Sequence, residues 1–178
     1  MQLLVCVGSP MFNATTIDAA DKPGLYAALA AQARALLEGE HDLIANAANF
    51  AALVWHTLPD LNWCGFYLFD GKELVVGPFQ GRPACVRIAL GRGVCGTAAA
   101  TVQTQVVADV NAFDDHIACD SASRSEIVVP LFDGERLVGV FDVDSPVLAR
   151  FDAQDRAGMQ RLAAVFMQSL RRPAREVA

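Results

Sequence analysis

The residues of this sequence that could do chemistry are five cysteines and a small set of carboxylates. The cysteines are Cys6, Cys64, Cys85, Cys95 and Cys119. Their number is odd and no C-x-x-C pair is present, so neither a disulfide framework nor a zinc ribbon or local dithiol is written here. Taken singly, each has the ordinary reading of a small buried hydrophobe. Cys95 differs because it lies in Gly91-Arg92-Gly93-Val94-Cys95-Gly96-Thr97, a glycine-rich turn opening an Ala-rich helix, and the first turn of a helix lowers a thiol pKa. The amides of the same turn could hold an anion, although the phosphate-loop and dinucleotide fingerprints are both absent. Cys119 sits beside Asp120 and near Asp114 and Asp115, which raise a thiol pKa, and only His116 and Arg124 oppose them. Electrostatics alone therefore ranks Cys95 ahead of Cys119 as a thiolate. A metal site from Cys85, Cys95, Cys119 and His116 would need paired ligand spacings that the sequence lacks.

In Phe141-Asp142-Val143-Asp144 the two carboxylates are two residues apart and share one face of a strand, where like charges repel unless they hold a cation or a proton. Glu126 begins the preceding strand and could join them, depending on register. A two-residue turn at Asp133-Gly134 would set Glu126 opposite Phe141, on the wrong face. A three-residue turn, or a bulge near Pro130, would set it opposite Asp142. A three-carboxylate cluster thus predicts an irregular hairpin. Trp63 alternates with Gly65, Tyr67 and Phe69; such a strand is ordinarily core, but an indole beside a glycine also makes an apolar wall for a methyl or methylthio group. His41 and His56 read as helix-surface residues.

The elements that must position these groups follow from periodicity. Helices are predicted from Pro23 to Gly39, from about His41 to Leu58, after Gly93 to near Gln103, and from about Asp152 to Arg172. Strands are predicted over 62–69 and 72–79 about an Asp70-Gly71 turn, then over 85–89, 105–108, 125–132 and 137–144, with 111–123 as a loop. Grouped strands with helices outside imply an α+β fold, a mostly antiparallel sheet covered by helices. The 178 residues suit one domain over 22–172, after an irregular leader at 1–21 and before a short tail at 173–178. A net charge of −6 argues against nucleic acid, which calls for a basic patch. No apolar run approaches the ~18 residues of a membrane span, and the short run at 3–7 does not make a signal peptide. A cytoplasmic protein is expected.

Seven blocks in order, Asn62-Trp63-Cys64-Gly65-Phe66-Tyr67, Gly77-Pro78-Phe79-Gln80-Gly81, Ala84-Cys85-Val86-Arg87-Ile88, the glycine-rich turn, His116-Ile117-Ala118-Cys119-Asp120, Ser125-Glu126-Ile127-Val128 and Asp142-Val143-Asp144-Ser145, closely resemble the free methionine-(R)-sulfoxide reductase family. That family is built on a single GAF domain, and the resemblance covers roughly Pro23 to Arg172. It implies reduction of free methionine-(R)-sulfoxide without a cofactor, with thioredoxin as the electron source. It implies Cys119 as nucleophile, Cys85 as resolving cysteine and Cys95 as an auxiliary cysteine, which overrules the electrostatic ranking. Glu126, Asp142 and Asp144 match its substrate-binding acids, and Trp63 its methyl-contacting indole. No metal is implied, and a homodimer is compatible with the sequence. A GAF domain is also a common sensory module, so a ligand-binding regulator without catalysis is the alternative. Three cysteines together with three carboxylates argue against it, since binding alone needs no dithiol.

Overall fold

Alternating hydrophobicity over the strand segments and 3.6-residue spacing elsewhere require one sheet with helices against it, and the computed structural model, which describes residues 12, 14–115, 117 and 120–172, has that form. The sheet has six strands: β1 (Trp63–Phe69), β2 (Leu74–Gly81), β3 (Arg87–Ile88), β4 (Gln105–Val107), β5 (Ser125–Asp133) and β6 (Arg136–Ser145). Their order is β3-β2-β1-β6-β5-β4, antiparallel at every pairing. Four helices complete it: α1 (Lys22–Leu36), α2 (Leu43–Thr57), α3 (Gly93–Thr101) and α4 (Ala153–Ser169).

The helix starts are chemically specified. Asp42 caps α2 by accepting from the amides of Ile44 and Ala45, and Asp152 with Asp155 forms a reciprocal capping box on α4. Asp21 caps α1 just before Pro23. Helices α1, α2 and α4 bury one face of the sheet, where Phe50, Phe66, Phe141 and Phe166 meet with ring centroids 4.5–5.9 Å apart. Removing any one of these rings would cost roughly 3–5 kcal/mol. Cys64 lies in this core, as a small hydrophobe. Phe12 and Ile17, from the stretch expected to be an irregular leader, also pack against it.

The opposite face carries a second, smaller core of Trp63, Tyr67, Val128 and Val140 under α3. Because residues alternate, Trp63, Gly65 and Tyr67 of β1 share this face with Asp142 and Asp144 of β6 and Glu126 of β5. The sheet thus has an aliphatic and aromatic side and a side carrying carboxylates.

Two turns differ from expectation. The β1–β2 loop has four residues rather than two, because the Asp70 carboxylate accepts from the amides of Lys72 and Glu73 and so stabilises a wider turn. The β5–β6 loop is Gly134-Glu135 rather than Asp133-Gly134: Gly134, at φ +62°, takes the first central position and Asp133 pairs with Arg136. His41, expected on a helix surface, precedes α2 and is half-buried, its Nδ1 2.7 Å from the carbonyl of Ser169. Cys6, His116, Cys119 and the tail at 173–178 lie outside the described residues.

Candidate active site

The hairpin register decides which carboxylates meet. A bulge on β6 between the Leu131–Gly139 and Phe132–Leu137 pairs sets Glu126 opposite Asp144 and Val128 opposite Asp142. The expected irregularity is present, but it lies nearer the turn than Pro130, and the partner of Glu126 is Asp144, not Asp142. The parity needed to put all three acids on one face is preserved.

Above them stands α3, whose third residue is Cys95. Its Sγ lies 3.2 Å from Asp142 Oδ2 and 3.9 Å from Glu126 Oε1. Glu126 and Asp142 are also hydrogen-bonded to each other. Two carboxyls can share a hydrogen bond only if one keeps its proton. Burial, then the charges of Asp142 and Asp144, pushes Glu126 well above the usual carboxylate range. Asp142 is raised by burial to about 7, held back by the hydrogen bonds from Cys95, Glu126 and the Val143 amide. Asp144, half-buried, is pushed well up by burial and by Asp142 while hydrogen-bonding to Ser123. Glu126 is therefore the proton donor of the pair and Asp142 the acceptor.

The expectation of an acidic Cys95 is overturned. Burial, followed by the neighbouring Asp142 and Glu126 charges, drives its thiol well above the ordinary value. The partial positive charge of a helix end is about half an elementary charge. It cannot offset desolvation together with the negative charge of the Asp142–Glu126 pair, whose oxygens lie 3.2 and 3.9 Å from the sulfur.

Trp63 forms the wall. Its indole is sandwiched between Tyr67 and Phe79, at centroid separations of 5.7 and 5.2 Å and interplanar angles of 25° and 16°. This stack requires Gly65, since a Cβ there would lie 2.3 Å from the Cβ of Phe79. Trp63, Cys95, Glu126, Asp142 and Asp144 all line one narrow cavity of ≈ 30 Å³. Ile117 roofs it, packing over Gly93, and Arg92 reaches Asp115 at 3.0 Å beside the opening. The amides of Gly93, Val94 and Cys95 precede the first intrahelical bond, which runs from the Gly96 amide to the Arg92 carbonyl at 3.0 Å.

Cys85 does not line the cavity. It is half-buried and adjoins Ala84, which does, and its carbonyl accepts from the Tyr67 hydroxyl at 3.1 Å. Cys119 lies outside the described residues, but Ile117 and Asp120 on either side of it both line the cavity. Asp120 and Ser123 are held by the Asn62 side-chain amide at 3.1 and 2.9 Å, while the Asn62 backbone amide donates to the Asp144 carbonyl. Asn62 and Ser123 carry no pattern in the sequence that marks them. Tyr67 does, being four residues from Trp63 on the same strand face.

Residues 25–170 match the GAF domain family. A free methionine-R-sulfoxide reductase of Escherichia coli is 51% identical over 144 residues, 81% of this chain and 87% of that one. The chain belongs to the free methionine-R-sulfoxide reductase family. It is an oxidoreductase built on a GAF domain. A second reductase of that name, from Saccharomyces cerevisiae, is 42% identical over 75% of this chain and 79% of its own length. The X-ray structure of the free methionine-R-sulfoxide reductase from Neisseria meningitidis in complex with its substrate superposes with a TM-score of 0.86 at 46% identity, covering 90% of this chain and 96% of that one. Among the described residues no helix is long and apolar enough to cross a membrane.

Proposed function

We propose that this chain reduces free methionine-(R)-sulfoxide to methionine in the cavity between α3 and the carboxylate face of the sheet. The observation that carries this reading is a cluster of three carboxyls set on one sheet face against Cys95 and a stacked indole, their acidity weakened by burial. A sulfoxide oxygen must accept a proton before its sulfur is attacked, and Glu126, whose carboxyl is pushed well above the usual range by burial and by Asp142, suits that task.

A free amino acid supplies a cation that a peptide-bound residue lacks. Its ammonium finds Asp142 and Asp144, and its carboxylate finds the amides of Gly93, Val94 and Cys95, which precede the first intrahelical bond of α3. The methyl group lies against Trp63. An amino acid is larger than the cavity, so Ile117 withdraws from Gly93 on entry. The Arg92–Asp115 pair, more than half exposed on both sides, resists this little.

Cys119 sulfur attacks the protonated sulfoxide sulfur; oxygen passes to the cysteine as a sulfenic acid and methionine leaves. The Cys85 thiol then condenses with that sulfenic acid, releasing water and leaving a Cys85–Cys119 disulfide. An external dithiol, thioredoxin in this reading, restores both thiols and is itself oxidised. Cys95, hydrogen-bonded to Asp142, stays protonated and orients that carboxylate.

The deciding assay mixes the protein with racemic free methionine sulfoxide and dithiothreitol and resolves the epimers. Loss of the R form alone is expected, abolished by Cys119→Ser, while Cys85→Ser mainly slows recycling by thioredoxin. Unchanged R epimer would refute the reading, and full turnover by Cys119→Ser would remove Cys119 as nucleophile.

A further inference from the structure

The second oxygen of the Asp142 carboxylate, Oδ1, is buried with no hydrogen-bond partner, although Asp142 is only 5% exposed. A buried carboxylate oxygen left unpartnered is costly, more so if ionised, and its natural complement is a cation. Asp142 lines the cavity, with the Cys95 thiol and the Glu126 carboxyl beside it, and the ligand atoms of these three lie within 4.8 Å of one another. Among the described residues no other three Cys, His, Asp or Glu side chains come together in this way.

The separations match a particular ion. Zinc binds thiolate sulfur at about 2.3 Å and carboxylate oxygen at about 2.0 Å in tetrahedral geometry, which sets sulfur and oxygen about 3.5 Å apart. The two observed separations, 3.2 and 3.9 Å, bracket that value. One sulfur and two oxygens suit zinc far better than magnesium or calcium, which require six or more oxygens.

We propose that Cys95, Glu126 and Asp142 form a binding site for a divalent zinc ion, with the fourth coordination position open to the cavity. Binding displaces the thiol proton of Cys95 and the carboxyl proton of Glu126 to solvent; Asp142 meets the ion through Oδ2, the oxygen that faces Sγ, and a carboxylate that turns to chelate brings Oδ1 to the same ion. The metal occupies the space assigned above to the substrate's ammonium and sulfoxide, so zinc and substrate exclude one another. That exclusion rests on the function proposed above; the metal site does not.

Titrating the reduced full-length protein with zinc against a competing chromogenic chelator is expected to show one tight equivalent. Cys95→Ser and the isosteric Glu126→Gln each weaken it by at least the roughly 10–100-fold that even outer-shell losses cost. Cys85→Ser leaves it unchanged. Cobalt in place of zinc gives a thiolate charge-transfer band that disappears in Cys95→Ser. Absence of a saturable equivalent, binding that survives Cys95→Ser in a folded protein, or binding lost in Cys85→Ser would each overturn the site. These measurements contain no sulfoxide, so their failure is separable from failure of the reductase reading.

Discussion

Glu126 stands directly across the β5–β6 ladder from Asp144, with Asp142 two residues along β6 on the same face and hydrogen-bonded to Glu126. Three acids are thereby crowded on one face of the sheet. Burial and their mutual repulsion favour keeping protons on them.

Stability should therefore fall as pH rises over this cluster's range. Asp142 has a folded pKa of about 7 against an unfolded value near 4, so the folded state binds more protons than the unfolded state between those pH values. Stability is greatest below the unfolded pKa and is lost as pH rises to about 7, by on the order of a few kcal/mol. Asp152, lowered to about 2 by Lys22 and by the cap amides, acts in the opposite direction at a pH too low to overlap. The thermal midpoint of the free protein should drop from pH 5 to pH 8, and Asp142→Asn should flatten that drop.

Glu126→Gln tests the acid. The amide keeps the shape but has no transferable proton, and a general acid contributes roughly 10²–10⁴-fold in rate. A loss of that size in kcat is expected. In the parent enzyme activity should decline with rising pH as Glu126 ionises, and the variant's residual rate should lack that limb. An unchanged pH profile would assign the proton elsewhere.

Much of this arrangement was legible in the sequence, for identifiable reasons. The period-two pattern put Asp142 with Asp144 on one face and Trp63 with Tyr67 on another strand's matching face, since alternation is local. Asp42, Asp152 and Pro23 marked helix starts through side-chain chemistry within three residues. The partner of Glu126 was not legible, because it depends on where one extra β6 residue is accommodated, and that depends on packing against β1. Nor was the state of Cys95: its position in a helix's first turn is local, whereas its burial against Glu126 and Asp142 comes from strands 31 and 47 residues away. The formal charge of −6 likewise counts as ionised two acids, Glu126 and Asp144, that the fold pushes toward the neutral form.

Gly158 of α4 is a separate test of the helical layer. In an isolated helix, alanine would improve on glycine by about 1 kcal/mol. Here a Cβ would lie 2.1 Å from the ring of Tyr26, whose hydroxyl donates to the buried Asp155 at 2.8 Å. Asp155 is further held by Lys22 and Arg150, so the ring cannot shift without disturbing this network. Overpacking of this kind costs roughly 1–3 kcal/mol and outweighs the propensity gain. Gly158→Ala should lower the denaturant midpoint; a raised midpoint would show that α1 and α4 separate freely.

The cysteines should differ in reactivity in an order opposite to that suggested by helix position. Alkylation needs a thiolate in contact with solvent. Cys64 is fully buried in the aromatic core and its thiol is pushed well up by burial, then by Asp142 and Asp144. Cys95 is 4% exposed and its thiol is pushed well up by burial, then by Asp142 and Glu126. Cys85 is half-buried and reachable. Brief iodoacetamide treatment of the native, reduced protein at neutral pH, followed by peptide mass spectrometry, should label Cys85 and spare Cys64 and Cys95. Asp142→Asn removes the largest of the three charges, those of Asp142, Glu126 and Asp144, that add to burial in holding the Cys95 thiol protonated, so Cys95 labelling should rise in that variant while Cys64, still enclosed by the core, stays unreactive. Rapid labelling of Cys95 in the parent protein would mean that its thiol is not held by Asp142, and would restore it as a rival to Cys119 for the attack on sulfur.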